Sequence, residues 1–425
     1  MPCHRSEAEI GRTVASVLAT GVQPEHVVVV DNANEPSPPD DTRGAVARAS
    51  GGRAAYVYVP SGHKTLALWT GAKALPERVE FVMHLDDDTV VPRDMVYDAA
   101  HFADGGATSA VSYGITMFRA GWVERLVDFE FTLWSHWRYF RSVSSTAWYC
   151  HGIVGLWRRE RFEAALAQHP FLPFGEDGWL GMITLGQGYQ IRQELRSSVL
   201  TFAPPRLAPA LPWPAACCGG AAAAARVQGY GAASVWKQRS NRWFVNAPRR
   251  LPLRLLQLVT YDVGHFAGNM VFRIEMMRHL VVTCVLLLYP VLLARTAYDG
   301  TWLYLLELKG CLLALDLTLY VSINYGVWRG RPDVRVAPAT VVSYPFYRMF
   351  LRLAYVYGHW QCVLWYIPGV AMRTGQLTDG HDEPEGFGVR DLPDWCWQRL
   401  LYTARRPKDA TAESKEPRGE VTILV

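Results

Sequence analysis

Along the first 110 residues the apolar positions change period repeatedly. Residues 8–20 repeat them at helical spacing, whereas His26 and the four valines after it make a short β-branched run of the kind that buried parallel strands show. The same reasoning predicts a strand over 54–59, a helix over 65–74 and a strand over 79–85. That βαβαβ order implies a doubly wound α/β sheet, with ligands at the carboxyl ends of its strands. Residues 122–200 are rich in aromatics, among them Phe129, Phe131, Trp134, Trp137, Trp148 and Trp157. They read either as a core of large side chains or as a platform on which sugar rings stack.

From 204 to 225 the composition collapses into proline and alanine, the pattern of a low-complexity loop. Between 247 and 279 arginines are interleaved with Leu, Val, Phe and Met, as in helices that lie in a membrane interface. The stretches 279–296 and 302–327 each approach the ~20 residues that cross a bilayer core, and 353–372 is a weaker third. Arginines precede the first stretch and follow the second, which predicts a hairpin of spans with the preceding domain on the cytosolic side. Asp316 inside the second span is costly in lipid and is expected to face protein or a water-filled path. The tail beyond 373 is polar and reads as partly disordered.

The whole chain has 425 residues and a formal charge of +4, with its arginines near the apolar stretches and not in a long basic tract, so nucleic acid is excluded as a leading partner. The eight cysteines show no CxxC spacing, which points to a reduced compartment and no structural zinc. The opening segment Pro2-Cys3-His4-Arg5-Ser6-Glu7 reads as a loop following a strand that is missing.

Three acidic or basic clusters carry the candidate chemistry. Asp31 ends the valine run and Asp86-Asp87-Asp88-Thr89 ends the strand over 79–85, so carboxylates emerge from two strand ends at the expected ligand crevice. Buried carboxylates at i and i+2 repel each other, and a hard divalent cation bound through oxygen relieves this. Glu176 and Asp177, in Gly175-Glu176-Asp177-Gly178, either cap a helix or provide the base that an attacking hydroxyl needs. Arg239 and Arg242-Trp243 set guanidiniums beside an indole, suited to phosphate and sugar or to anchoring at a membrane surface.

Taken in order, the Asp31 strand end, Asp86-x-Asp88-Thr89, the Gly-Glu-Asp at 175–177 and Arg242-Trp243, followed by apolar spans, resemble the family 2 processive glycosyltransferases, the group of cellulose, chitin and hyaluronan synthases and the fungal type 2 polysaccharide synthases. The resemblance implies a GT-A α/β domain over 1–245, interfacial helices over 246–278, a transmembrane region over 279–372 and a polar tail over 373–425. It implies a multi-pass integral membrane protein of the plasma membrane or Golgi, using a UDP-sugar donor, a polysaccharide acceptor and Mg²⁺ or Mn²⁺. Carried over residue by residue, Asp31, Lys64, Asp86, Asp88 and Arg242 bind the nucleotide sugar, with Asp86 and Asp88 on the metal. Asp177 resembles the general base with Glu176 beside it; Trp243, Arg239, Gly155, Trp157 and Arg158 resemble the acceptor side. The glutamine of the family's QxxRW is Arg239 here, with Gln238 one place early, and Cys3 stands near where many members carry an aromatic. A transferase acting once on a lipid acceptor, and a catalytically silent membrane scaffold, are the alternative readings.

Overall fold

Ile10, Val14 and Val17 fall on one stripe of a helix and are all buried along α1 (Ile10–Leu18). The computed structural model describes residues 1–366, apart from Asn34, Asp98, 170–174, 209–233, 245–246 and Asp333, together with 423–424. Strands β1 (Pro2–Cys3), β2 (Val28–Asp31) and β3 (Ala55–Tyr58) form a parallel sheet in that order. Within the opening segment Pro2–Cys3 is therefore a strand, and only the residues after it form the expected loop: Cys3 pairs with Asp31, and the Met1 amino group donates to Val28 O at 2.7 Å. Between β2 and β3 lies α2 (Thr42–Ser50), started by the Asp41 carboxylate accepting from Gly44 N at 3.1 Å and stopped by Gly51 at φ 62°. After β3, α3 (Lys64–Ala74) leads to β4 (Phe81–Leu85).

The second sheet has the order β7 (Gln190–Thr201), β5 (Thr108–Met117), β6 (Val154–Arg158), β4 and β8 (Ile423–Leu424). Its β6 runs antiparallel to both β4 and β5, so the architecture is mixed and not doubly wound throughout. The reason lies in α4 (Trp122–Ser144) and the loop after it. They return the chain to the carboxyl end of β4, where Ile153 O accepts from Asp86 N at 2.9 Å, and a strand entering there has to run backwards. Helices α5 (Arg159–Leu166) and α6 (Glu176–Gly186) then pack beside the sheet.

A π-helical segment, Gln238–Phe244, opens the C-terminal half, followed by α7 (Leu251–Thr260), α8 (Phe266–Tyr298), α9 (Trp302–Val321) and α10 (Pro338–Tyr366). These helices share cores with the sheet domain: Tyr344, Tyr347 and Leu351 of α10 join Val111, Phe129 and Val154, while Phe272 and Met276 of α8 join Trp148 and Met182.

Among the described residues α8 alone is long and apolar enough to cross a membrane, where two or three such spans were expected. The second stretch falls short because α9 carries Glu307, Lys309 and Asp316 and passes into another π-helical segment, Ser322–Val327. Asp316 is paired within the protein, to Arg348 at 3.0 Å and Arg352 at 3.7 Å. The third stretch belongs to α10, which begins at Pro338, and its part beyond 366 lies outside the described residues. So do most of the expected loop over 204–225 and, apart from β8, the tail.

Candidate active site

Lys64, at the start of α3, gathers the acidic motifs. Its ammonium meets Asp86 Oδ1 at 2.5 Å, Glu176 Oε1 at 2.8 Å and Gly152 O at 3.0 Å. Burial alone would push this lysine down, but the Asp86 and Glu176 carboxylates outweigh it and hold it above the ordinary range, so it stays charged. Burial likewise pushes Glu176 up, and Lys64 overrides this to hold it at about 2. That carboxyl is the counter-ion of Lys64.

Asp177, the second residue of α6, accepts from Gly178 N at 2.6 Å and from Gly152 N at 3.3 Å. Burial first and the neighbouring Glu176 second push its carboxyl upward, the direction that suits a general base. Gly178 permits another group to approach: a Cβ there would stand 1.3 Å from Nη1 of Arg250, so a side chain at 178 would displace that guanidinium.

The three aspartates after β4 differ. Asp86 is pushed up to about 6 by burial, against the pull of Lys64. Asp87 is engaged by the Ser6 hydroxyl and by His4 N at 3.3 Å. Asp88 is driven up to about 8, by burial and then by Asp87 and Asp86, while Thr201 Oγ1 donates to it at 3.2 Å. Among the described residues no three His, Cys, Asp or Glu side chains converge as a finished metal cage. The charge pattern nonetheless fits a divalent cation, because Asp88 ionises at a penalty that an oxygen-bound Mg²⁺ or Mn²⁺ removes.

A cleft of about 1560 Å³ joins these groups. Lys64, Asp86, Asp88, Glu176 and Asp177 line it, together with Arg242 and Trp243, so seven of the sequence-predicted site residues meet there. The others lie elsewhere. Asp31 is fully buried, accepting from the Tyr56 hydroxyl at 2.8 Å, and Asn32 stands on the cleft wall in its stead. Gly155 and Trp157 sit inside the sheet: the Trp157 indole donates to His84 Nδ1 at 3.0 Å, and the opposite ring nitrogen of His84 meets His151 O at 3.1 Å. Arg158, at the far end of β6, donates to Phe102 O at 2.7 Å. From the glycine-rich stretch that they belong to, the cleft is lined by His151, Gly152 and Ile153.

Arg239 is also redirected. It is fully buried, with Nη2 on Glu130 Oε2 at 2.8 Å and its guanidinium carbon 3.6 Å from the centre of the Trp243 ring. Along the π-helical segment Gln238 and Arg242 face the cleft, while Arg239 is held inward on Glu130. The glutamine that seemed one place early thus takes the position expected of Arg239.

Sequence reasoning passed over Arg138, Arg141, Arg250 and Arg254, which line the inner part of the same cleft. The signal of Arg250 and Arg254 was visible as arginines among apolar residues over 247–279 and was assigned to the membrane surface, whereas Arg138 and Arg141 lie in the aromatic stretch, which was read for its rings alone. The aromatic stretch divides between the two readings: Phe129 and Trp157 are core, whereas Trp134, Trp137, Trp148 and Tyr149 line the cleft.

The cleft of this α/β domain thus brings together the acidic end of β4, a paired lysine and the Asp177 carboxylate. Residues 1–165 match the family model described as Glycosyl transferase family 2. No curated protein matches the chain. Solved structures similar to it include S. aureus TarS, at 12% identity and a TM-score of 0.38, covering 85% of this chain and 54% of TarS. The TarS 1–349 fragment in complex with UDP-GlcNAc is similar at 14% identity and a TM-score of 0.38, covering 85% of this chain and 89% of the fragment. This chain therefore spans about half the length of the full TarS chain.

Proposed function

We propose that the protein transfers a sugar, with inversion, from a UDP-sugar to a hydroxyl of a growing polysaccharide at a membrane, and passes the product across it. The observation that carries this reading is Asp177, a half-buried carboxylate pushed upward and standing in one cleft with Lys64, Asp86 and Asp88. Asp177 takes the proton of the acceptor hydroxyl as its oxygen bonds to the anomeric carbon, and the bond from that carbon to the UDP oxygen breaks on the opposite face. Lys64 and Arg242 offer positive charge to the departing diphosphate. Asp86 and Asp88 are the residues that would hold Mg²⁺ or Mn²⁺, which supplies Lewis-acid neutralisation of the diphosphate when bound. The Trp243 indole and the cleft tryptophans offer stacking faces to the acceptor sugars.

The reading extends to a multi-pass protein of the plasma membrane or Golgi with its catalytic domain in the cytosol, supported by the exposed apolar surface of α8 and the arginines before it. A second reading, a single transfer to a lipid acceptor, is favoured by the cleft itself, since Val282, Leu286 and Tyr289 of α8 line its far end. Incorporation of radiolabelled UDP-sugars by membranes that contain the protein, with and without Mn²⁺ or Mg²⁺ and with products resolved by size, tests both. A long metal-dependent polymer from one donor supports the first, a short lipid-extractable product the second, and no incorporation from any donor removes both.

A further inference from the structure

Beyond Asp177 the cleft enters a group of guanidiniums that the transfer step does not use. Arg254 on α7 is 7% exposed, lines the cleft and leaves its Nε without a partner. Arg250 lies against Gly178, next to the base. On the opposite wall Arg141 stacks over the Trp148 indole, 4.3 Å from the ring centre, and pairs with Glu275 at 2.9 Å. Glu275 is already shared with Arg278 at 2.9 Å, the carboxylate whose charge Arg250 feels is that of Asp177, and among the described residues no ion pair joins Arg254 to a carboxylate. Burial, and then the charge of Arg250, pull Arg254 down to about 9, so it is still a cation at neutral pH.

Buried guanidiniums without a counter-ion are costly, and an oxyanion held in their planar forks removes that cost. We infer that Arg254, Arg250 and Arg141 bind a phosphate monoester or diester carried by the acceptor-side ligand. A lone carboxylate would offer Arg254 and Arg250 a single charge, whereas a phosphate presents several acceptor oxygens and up to two charges, enough to reach Arg141 as well. The donor's diphosphate has a separate cation in Lys64. Val282, Leu286 and Tyr289 continue the wall past the arginines, so a headgroup bound there leaves its chains against the apolar helix. The inference rests on the reading above in one respect, that the acceptor enters beside Asp177.

Calorimetric titration of the purified full chain in detergent decides the matter, with short-chain phosphatidic acid, the matching diacylglycerol and inorganic phosphate as separate probes. Phosphatidic acid is expected to bind and diacylglycerol not to, with Arg254→Gln weakening the phosphate-bearing probes about tenfold or more, the scale of a lost charge-assisted hydrogen bond. Arg254→Lys is expected to retain part of that affinity, and UDP binding in the same preparations is expected to be unchanged, which reports an intact fold and donor end. Phosphatidic acid binding more tightly than inorganic phosphate identifies a lipid source, and equal affinities identify a soluble one. Equal affinity of wild type and Arg254→Gln for both phosphate probes, or no binding of either to the wild type, overturns the inference. If UDP fails to bind while the phosphate probes still depend on Arg254, the transfer reading falls and the phosphate site stands.

Discussion

Two carboxylates one residue apart in sequence, Glu176 and Asp177, are driven in opposite directions because only the first touches Lys64. If Asp177 is the base, Asp177→Asn lowers turnover by roughly 10²–10⁴ while UDP binding persists. Single-turnover transfer and UDP titration on the same sample check this; unchanged turnover removes Asp177 from the mechanism. Because burial raises its folded pKa, the base form fills only above the ordinary aspartate value of about 3.9, and the rate should climb with pH through that raised value. Asp88 makes a prediction about stability. Its folded value of about 8 exceeds the unfolded one of about 3.9, so between those limits the native state holds the extra proton and the metal-free protein loses stability as pH rises. Melting curves should therefore show a larger gain on adding Mn²⁺ at pH 8 than at pH 5, and Asp88→Asn should shrink that difference to the part that Asp86, raised to about 6, contributes. Carboxylates at strand ends could be read from the sequence because the valine run and the strand over 79–85 fix where each strand stops. The inward turn of Arg239 could not, since it depends on Glu130, which lies 109 positions away.

α1, β2, β3, α3 and β4 fall within a few residues of their expected bounds, and in α1, β2 and β4 the burial follows the local apolar pattern. The reversed β6 and the π-helical segment follow from tertiary packing and leave no mark on periodicity. That segment is pinned by one buried triad: Arg239 and the Tyr347 hydroxyl, from α10, both meet Glu130 Oε2, at 2.8 and 2.7 Å. Burial pushes the Glu130 carboxyl up, Arg239 opposes, and removing one partner strands the other in a dry site. Glu130→Ala is thus expected to cost about 3–5 kcal/mol of stability, the usual scale for breaking a buried pair. Denaturant unfolding in detergent measures it, and a loss below about 1 kcal/mol means that solvent reaches the triad. Because Gln238, Arg242 and Trp243 ride on the same segment, transfer should fall in Glu130→Ala even at temperatures where the protein remains folded.

At the scale of the molecule, the membrane reading proposed above rests on the helices after the sheet domain. α8 has 33 residues, more than the ~20 that span a bilayer core. Its first turns dock Phe272 and Met276 against the domain, while Val281, Val285, Leu288, Val291 and Leu292 further along are exposed, which suits lipid and not water. α9 shows similar exposure at Leu303, Leu306, Leu308 and Leu315, but it carries three charged side chains, of which Asp316 is neutralised by Arg348 and Arg352 of α10. With that charge paired, α9 can follow α8 back through the bilayer as the second arm of a hairpin, the arrangement that the arginine distribution favours. Two native thiols report on it: Cys284 on α8 and Cys311 on α9, both exposed on the protein surface. In variants that retain one of them as the sole cysteine, a membrane-impermeant maleimide should leave both unlabelled in sealed vesicles and label both after detergent. Labelling of Cys311 but not Cys284 in intact vesicles would put α9 at the surface and leave α8 as the crossing helix, and with it the hairpin and the multi-pass reading would fail. Labelling of both would mean that neither helix is in lipid, and the apolar surface of α8 would then require a protein partner to cover it.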